Sequence, residues 1–227
     1  IENSILKIFN RESITPLNIT DIIEKNFKTE NQINALHFIP SPGNSLSSIA
    51  ESVAGGKDLL LKNFLKTIKY DYDFIVIDSL PSVSTLFKNV LLAADSIIIP
   101  IQTKTNSIAG ANEFIKVIDE VIGDYDTTYN NLFILPTMYN KQRRDDKDVL
   151  AEIKTSYLDF IQSCNHIGKV NTVILDPIPE RSVFSNAQAI RYFPQDYINL
   201  FDSGKRDILL LLEKIAKIII TITKKNN

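Results

Sequence analysis

The residue of this chain whose type and position most clearly suit a functional site is Asp78, the last residue of the apolar run at 74–78. A carboxylate placed directly after four apolar residues is costly to bury unless it meets a cation, a helix N-terminus or a hydrogen-bond network. Because oxygen ligands suit Mg²⁺, this position fits a magnesium ion beside a phosphate. A structural role is the alternative, in which Asp78 caps the helix predicted to start near Ser82; Ser82 or Ser84 could also cap that helix.

The elements that must position Asp78 are predicted from five short runs rich in Ile, Val, Leu and Phe, as buried parallel strands are. These runs span residues 35–39, 74–78, 96–101, 132–135 and 172–175. Stretches with helical spacing of apolar residues lie between them, at 57–69, 82–94, 108–122 and 146–163. The alternation predicts an α/β fold, with a mostly parallel sheet and helices on both faces. Since there is no repeat, low-complexity tract or Gly/Ser linker, residues 1–227 are predicted to be a single domain.

The ends of the predicted strands carry a shared signal, because all five runs stop at Pro, Asp or both. Pro and Asp are common strand-stopping residues, which explains one or two such ends better than five. In open α/β sheets the ligand sits beyond the carboxyl ends of the strands. We therefore expect a binding site at this edge.

Four sequence segments, taken in order, resemble one family. They read Y-D-F-I-V-I-D-x-x-P-S at 72–82, I-I-I-P-I-Q-T at 97–103, L-P-T-M-Y-N at 135–140 and D-P-I-P-E-R-S-V-F-S-N-A at 176–187. The set resembles the ParA/MinD group of partition ATPases, and more closely the ParA type, which segregates plasmids and chromosomes. The resemblance runs from about residue 19 to the C-terminus.

The resemblance implies a P-loop type of NTPase fold that uses ATP and Mg²⁺. Asp78 would be the Walker B acid, acting on Mg²⁺ through water. Ser79 to Pro81 would form the switch that senses the γ-phosphate, and Gln102 would lie near that switch with a catalytic role.

The resemblance also implies an adenine site after the fourth and fifth strands. Asn140 would hydrogen-bond the base, with Met138 nearby, and Pro179 and Glu180 would line its other side. A proline ring with apolar atoms against a purine face, and one amide at its edge, is sound chemistry for adenine. The alternatives are a loop asparagine in a turn and a proline that merely ends a strand.

Two departures from the family pattern change these expectations. Leu80 precedes Pro81 where many members have two prolines, and no G-x-x-x-x-G-K-[ST] phosphate loop occurs in the 227 residues. We therefore expect the domain to be N-terminally incomplete and the natural protein to be longer, with the family's first strand, phosphate loop and helix upstream. Full-length protein is expected to be an ATPase, whereas residues 1–227 alone are not expected to hydrolyse ATP.

The family's function would be ATP-dependent homodimerisation and nonspecific DNA binding, released by a ParB-like centromere-binding partner. The net charge of −2 excludes a global basic signal, so DNA would meet a local patch. Our candidates for that patch are Arg181, Lys205 and Arg206. Cys164 is the single cysteine and cannot form an internal disulfide, which favours the cytoplasm, where such a protein would associate with the nucleoid.

Three alternatives remain open from the sequence. The first is a non-hydrolysing scaffold or regulatory member of the same fold. The second is a MinD-like membrane-positioning ATPase, for which Lys224 and Lys225 beside the apolar stretch 208–223 give slight support. We prefer a buried core helix there, and no membrane partner is expected. The third is a metabolic P-loop enzyme, which would need a second substrate pocket.

Overall fold

The chain divides at Ala94 into two units, Ile1–Ala94 and Asp95–Asn227, in the computed structural model. The structure describes residues 4–18, 36–41, 57–79, 84–181 and 206–225. The single domain expected from the sequence stays a prediction.

The described residues of the first unit form short elements. They are α1 (Leu6–Phe9), β1 (Leu17–Asn18), β2 (His37–Phe38), α2 (Leu60–Ile68) and α3 (Thr85–Ala93). The prediction of a buried parallel strand at 35–39 was wrong, because β2 is a two-residue strand that pairs antiparallel with β1. Phe38 is 51% exposed, so this ladder covers little apolar surface and gains little from burial.

Helices α2 and α3 confirm the predicted helices at 57–69 and 82–94. Ser84 caps α3, since its Oγ accepts a hydrogen bond from the Phe87 backbone N–H at 3.3 Å. Asn89 is fully buried and joins the two helices. Its Oδ1 accepts from the Leu61 N–H at 3.0 Å, and its Nδ2 donates to the Lys57 carbonyl at 2.7 Å. A buried amide satisfied in this way fixes the start of α2 against the middle of α3.

The run at 74–78 is not the buried strand that the sequence predicts. The structure gives it an irregular conformation, with Phe74 and Ile75 about two-fifths exposed and Val76 90% exposed. An apolar run this short becomes a core strand only when neighbouring elements cover both of its faces. The local composition of the run predicts a strand, but whether other elements bury that strand depends on the rest of the fold.

The second unit contains the parallel sheet. Among its described residues the elements are β3 (Ser96–Gln102), α4 (Ser107–Tyr125), β4 (Asn131–Thr137), α5 (Arg144–Glu152), α6 (Leu158–Ser163), β5 (Asn171–Ile174) and α7 (Arg206–Lys225). The strands lie in the order β3-β4-β5, all parallel, with Ile99 opposite Ile134 and Ile134 opposite Ile174. The predicted strands at 96–101, 132–135 and 172–175 and the α/β fold class are confirmed.

Burial follows each strand's position in this sheet. In β3 the buried residues alternate with exposed ones: Ile97, Ile99 and Ile101 are buried, and Ile98, Pro100 and Gln102 are exposed. In the central strand β4 the first four residues are all buried. Since successive side chains point to opposite faces, β4 is covered on both sides, as the sequence predicts.

Helix α7 covers one face of the sheet. Ile215, which is 5% exposed, packs in a cluster with Phe133 of β4 and Leu175 after β5. This agrees with the expected core helix, although Leu210 on another side of α7 is 57% exposed. None of the described helices is long and apolar enough to cross a membrane.

The predicted helix at 146–163 is divided in two. α5 and α6 are separated by a π-helical segment, Ile153–Tyr157. Ile153, Tyr157 and Ile161 are nevertheless all buried, so the helical spacing of the apolar residues survives the change in winding.

Candidate functional site

The candidate site lies at the carboxyl ends of β3, β4 and β5, where backbone pairing continues beyond the strands. The Thr103 N–H donates to the Thr137 carbonyl at 2.9 Å. Tyr139 exchanges two hydrogen bonds with the segment after β5: its N–H donates to the Ile178 carbonyl at 3.1 Å, and its carbonyl accepts from the Glu180 N–H at 2.9 Å. Tyr139 and Pro179 therefore form a parallel bridge that brings the two predicted halves of the adenine site together.

Met138 and Asn140 lie on either side of this bridge. Met138 adopts a left-handed backbone conformation (φ 55°) and is 40% exposed, so its thioether side chain remains accessible. The Asn140 Oδ1 accepts from the Gln142 N–H at 3.0 Å, which is an Asx turn. Asn140 is thus the loop asparagine in a turn that the sequence left open as the alternative, and it is partly exposed.

Glu180 forms ion pairs with two cations. Its Oε2 lies 3.1 Å from Nη1 of Arg143 and 3.6 Å from Nζ of Lys104. Its carboxylate is about one-third exposed, so these pairs are partly screened by water. Glu180, which is predicted to line adenine, therefore also links the loops after β3 and β4 to the segment after β5.

Sequence reasoning missed the most buried charge of this edge, Asp146. It lies in the first turn of α5, and its Oδ2 accepts hydrogen bonds from the Asn140 N–H at 2.7 Å, Lys104 Nζ at 3.2 Å and Thr103 Oγ1 at 3.3 Å. Burial opposes ionisation of this carboxyl, but the Asn140 N–H, Lys104 and Thr103 outweigh it and lower the Asp146 pKa below its usual 3.8. No local signal in the sequence distinguishes Asp146 from its neighbours Asp145 and Asp148.

The predicted catalytic residues are placed in different units. Gln102 is the exposed last residue of β3, in register with Thr137. Asp78 and Ser79 belong to the first unit, and both are exposed. Pro81 lies outside the described residues. Within the ranges that the structure describes, no three His, Cys, Asp or Glu side chains cluster as a metal site. The metal-binding role of Asp78 stays a prediction.

The predicted DNA-binding residues lie near the start of α7. Arg181 is half exposed, with its Nη2 atom 3.5 Å from Oδ2 of Asp207. Arg206 is the first residue of α7, and only its backbone is described. Lys205 lies outside the described residues. An Arg181 that already faces an aspartate would have to exchange this partner to meet a phosphate.

Comparison with known proteins identifies the family. The family model described as an AAA domain (AAA_31) matches residues 1–134, which is more than half of the chain. The chain belongs to this family. Its relatives place it with the ParA-type partition ATPases of the ParA/MinD group.

Two curated relatives of this ParA-type chain illustrate the match. The cell division protein PomZ of Myxococcus xanthus is 26% identical over 161 residues, covering 70% of this chain and 48% of PomZ. The sporulation initiation inhibitor protein Soj of Bacillus subtilis is 29% identical over 105 residues, covering 46% of this chain and 42% of Soj. The chain thus spans less than half the length of each relative.

Among solved structures, this ParA-type chain is similar to a plasmid partition protein from Borrelia burgdorferi B31 bound to AMPPNP. The two are 25% identical with a TM-score of 0.58, and the match covers 94% of this chain and 74% of the other. The P-loop type of α/β fold expected from the sequence is confirmed.

Proposed function

We propose that the protein is a partition ATPase that binds ATP with Mg²⁺, forms a homodimer with ATP and binds DNA without sequence preference to segregate plasmid or chromosomal DNA. The observation that carries the proposal is the Tyr139–Pro179 bridge, which brings Met138 and Asn140 beside Pro179 and Glu180 at one sheet edge. A site of this kind, with apolar surface and few fixed polar groups, suits a flat base.

The base would meet chemically suitable groups at this edge. The thioether of Met138 and the ring of Pro179 offer apolar contact to a purine face, and Met138 is exposed enough to give it. The Asn140 amide can pair with the edge of adenine, which presents both a donor and an acceptor. The AMPPNP bound to the Borrelia burgdorferi partition protein supports an adenine nucleotide as the ligand.

Asp78, Ser79, Pro81 and Gln102 are proposed to serve the phosphate end of the nucleotide. Mg²⁺, when bound, neutralises charge on the β- and γ-phosphates. Asp78 would hold the ion through water, Ser79 and Pro81 would respond to the γ-phosphate, and Gln102 would lie near that switch. The exposed position of Asp78 and Gln102 is compatible with access to a ligand.

DNA and a ParB-like centromere-binding protein are the proposed macromolecular partners, on the nucleoid in the cytoplasm. Arg181, with Lys205 and Arg206, would contact phosphates, and the partner would stimulate hydrolysis and release the DNA. Contacts of cations with phosphates release counterions, so binding should weaken steeply with salt. Arg181 is half exposed, and a phosphate would replace Asp207 as its partner.

ATP-dependent DNA binding by the full-length protein tests this function. We expect retention of nonspecific duplex DNA with ATP but not with ADP, and a salt slope that Arg181→Ala lowers by about one per protomer. Arg144→Ala is the matched control, since Arg144 is 92% exposed and pairs only loosely with Asp148 at 3.8 Å. DNA binding that is equally strong with ATP and ADP would contradict the proposal. So would a salt slope of DNA binding that is the same for Arg181→Ala and Arg144→Ala.

A further inference from the structure

We propose that Asp146 is the positioning residue of the nucleotide-binding edge, holding the Asn140 loop in its binding conformation before nucleotide arrives. This inference rests on the proposed adenine contact of Asn140. Asp146 itself is buried, with its side chain only 3% exposed, and it acts through the residues that donate to it.

A single oxygen of Asp146 joins two strand ends. Oδ2 accepts from Thr103 and Lys104, which follow β3, and from the Asn140 N–H, which follows β4. A buried carboxylate carries a desolvation cost that apolar packing would avoid. Its three donors offset that cost only while both loops keep their places, so the carboxylate stabilises one arrangement of the loops in particular.

The hydrogen bond to Asn140 has a second effect, because it acts together with the Asx turn. The Asn140 N–H is fixed by Asp146 at 2.7 Å, while its Oδ1 accepts from the Gln142 N–H at 3.0 Å. Backbone and side chain of Asn140 are therefore both fixed in the free protein. A preorganised amide loses less conformational entropy on binding a base than a mobile one.

Lys104 extends the arrangement to the segment after β5. Its ammonium lies between Asp146 Oδ2 at 3.2 Å and Glu180 Oε2 at 3.6 Å. Glu180 also donates its backbone N–H to Tyr139, on the same loop as Asn140. Asp146, Lys104 and Glu180 thus connect all three strand ends around the proposed base site.

A simpler role for Asp146 is stabilisation of the α5 N-terminus, where an acidic residue favours the helix dipole. Asp145 separates the two roles, since it lies in the same first turn of α5 but is exposed. If the dipole were the whole effect, Asp145→Asn and Asp146→Asn would behave alike. If Asp146 positions the loop, only its replacement should alter Asn140.

The experiment compares Asp146→Asn with Asp145→Asn in the full-length protein, by two readouts. The first is amide hydrogen exchange over residues 138–143 without nucleotide, where we expect faster exchange at Asn140 for Asp146→Asn only. The second is affinity for a fluorescent ATP analogue, where the loss of a charge-assisted hydrogen-bond network should weaken binding about tenfold. Turnover at saturating ATP should change little, because Asn140 is assigned to the base and not to the phosphates.

Unchanged Asn140 exchange in a folded Asp146→Asn protein would overturn the inference, as would equal ATP affinities for the two variants. Lys104→Met is the second variant, should Asp146→Asn fail to fold, and it should speed the same exchange by releasing Asp146 from its cation. If wild-type protein binds no adenine nucleotide, the proposed function fails and the positioning role falls with it. If the wild-type protein binds adenine nucleotide and Asp146→Asn binds it equally well, the positioning role of Asp146 is wrong but the proposed function stands.

Discussion

At the scale of single residues, burial distinguishes side chains that the sequence presents as equivalent. Asp145, Asp146 and Asp148 occupy one short acidic stretch of α5, yet only Asp146 is buried. The Thr103-Lys104 pair follows β3 about forty positions earlier. Because their contact depends on how two strand ends meet, no local pattern predicts which aspartate accepts their hydrogen bonds.

The lowered pKa of Asp146 predicts a pH dependence of stability. A carboxyl whose pKa is depressed on folding stabilises the folded state above its usual value of 3.8 and loses that effect as the pH falls through the lower, folded-state pKa. At about pH 7, Asp146→Asn should therefore reduce the free energy of unfolding by about 1–3 kcal/mol. The difference from wild type should shrink below pH 3.8.

Urea denaturation of wild type, Asp146→Asn and Asp145→Asn across this pH range measures the effect. Asp145→Asn should stay within about 0.5 kcal/mol of wild type throughout, as exposed substitutions usually do. If the difference in free energy of unfolding between wild type and Asp146→Asn grows as the pH falls through this region, the sign of the Asp146 pKa shift is wrong.

At the scale of elements, the sequence predicts what short-range composition controls. β3, β4 and β5 were found from runs of Ile, Leu, Val and Phe, and the start of α3 from its serines, of which Ser84 is the cap. The run at 74–78 has the same composition but remains exposed and irregular. Strand formation depends on neighbours as well as on composition, and neighbours are set by the rest of the fold.

Helix α7 provides a prediction at this scale. Ile215 is buried against Phe133 and Leu175, whereas Leu210 of the same helix is 57% exposed. Ile215→Ala should lower the free energy of unfolding by about 2–4 kcal/mol, because it removes buried methyl groups and leaves a cavity against β4. Leu210→Ala is the control and should change it by less than about 0.5 kcal/mol. Equal effects in chemical denaturation would show that α7 does not pack on the sheet through Ile215.

At the scale of the whole molecule, the order of four motifs predicted the family that the comparisons confirm, and three strand ends of the second unit meet at one edge as predicted. Asp78 belongs to the first unit. Its role in holding the Mg²⁺ ion of a bound nucleotide stays a prediction. The non-hydrolysing alternative would use the same fold and the same proposed base site. Only turnover separates it from a partition ATPase.

The most direct test is the ATP hydrolysis rate of full-length wild-type protein, Asp78→Ala and Asp73→Ala. Asp73 is an exposed aspartate five residues earlier and serves as the matched control. We predict that wild type and Asp73→Ala hydrolyse ATP at similar rates, and that Asp78→Ala is slower by about 10- to 100-fold, as expected for a residue that holds a metal ion through water. Hydrolysis by Asp78→Ala at the wild-type rate would contradict the assignment of Asp78, and a wild-type protein that binds ATP without hydrolysing it would contradict the ATPase.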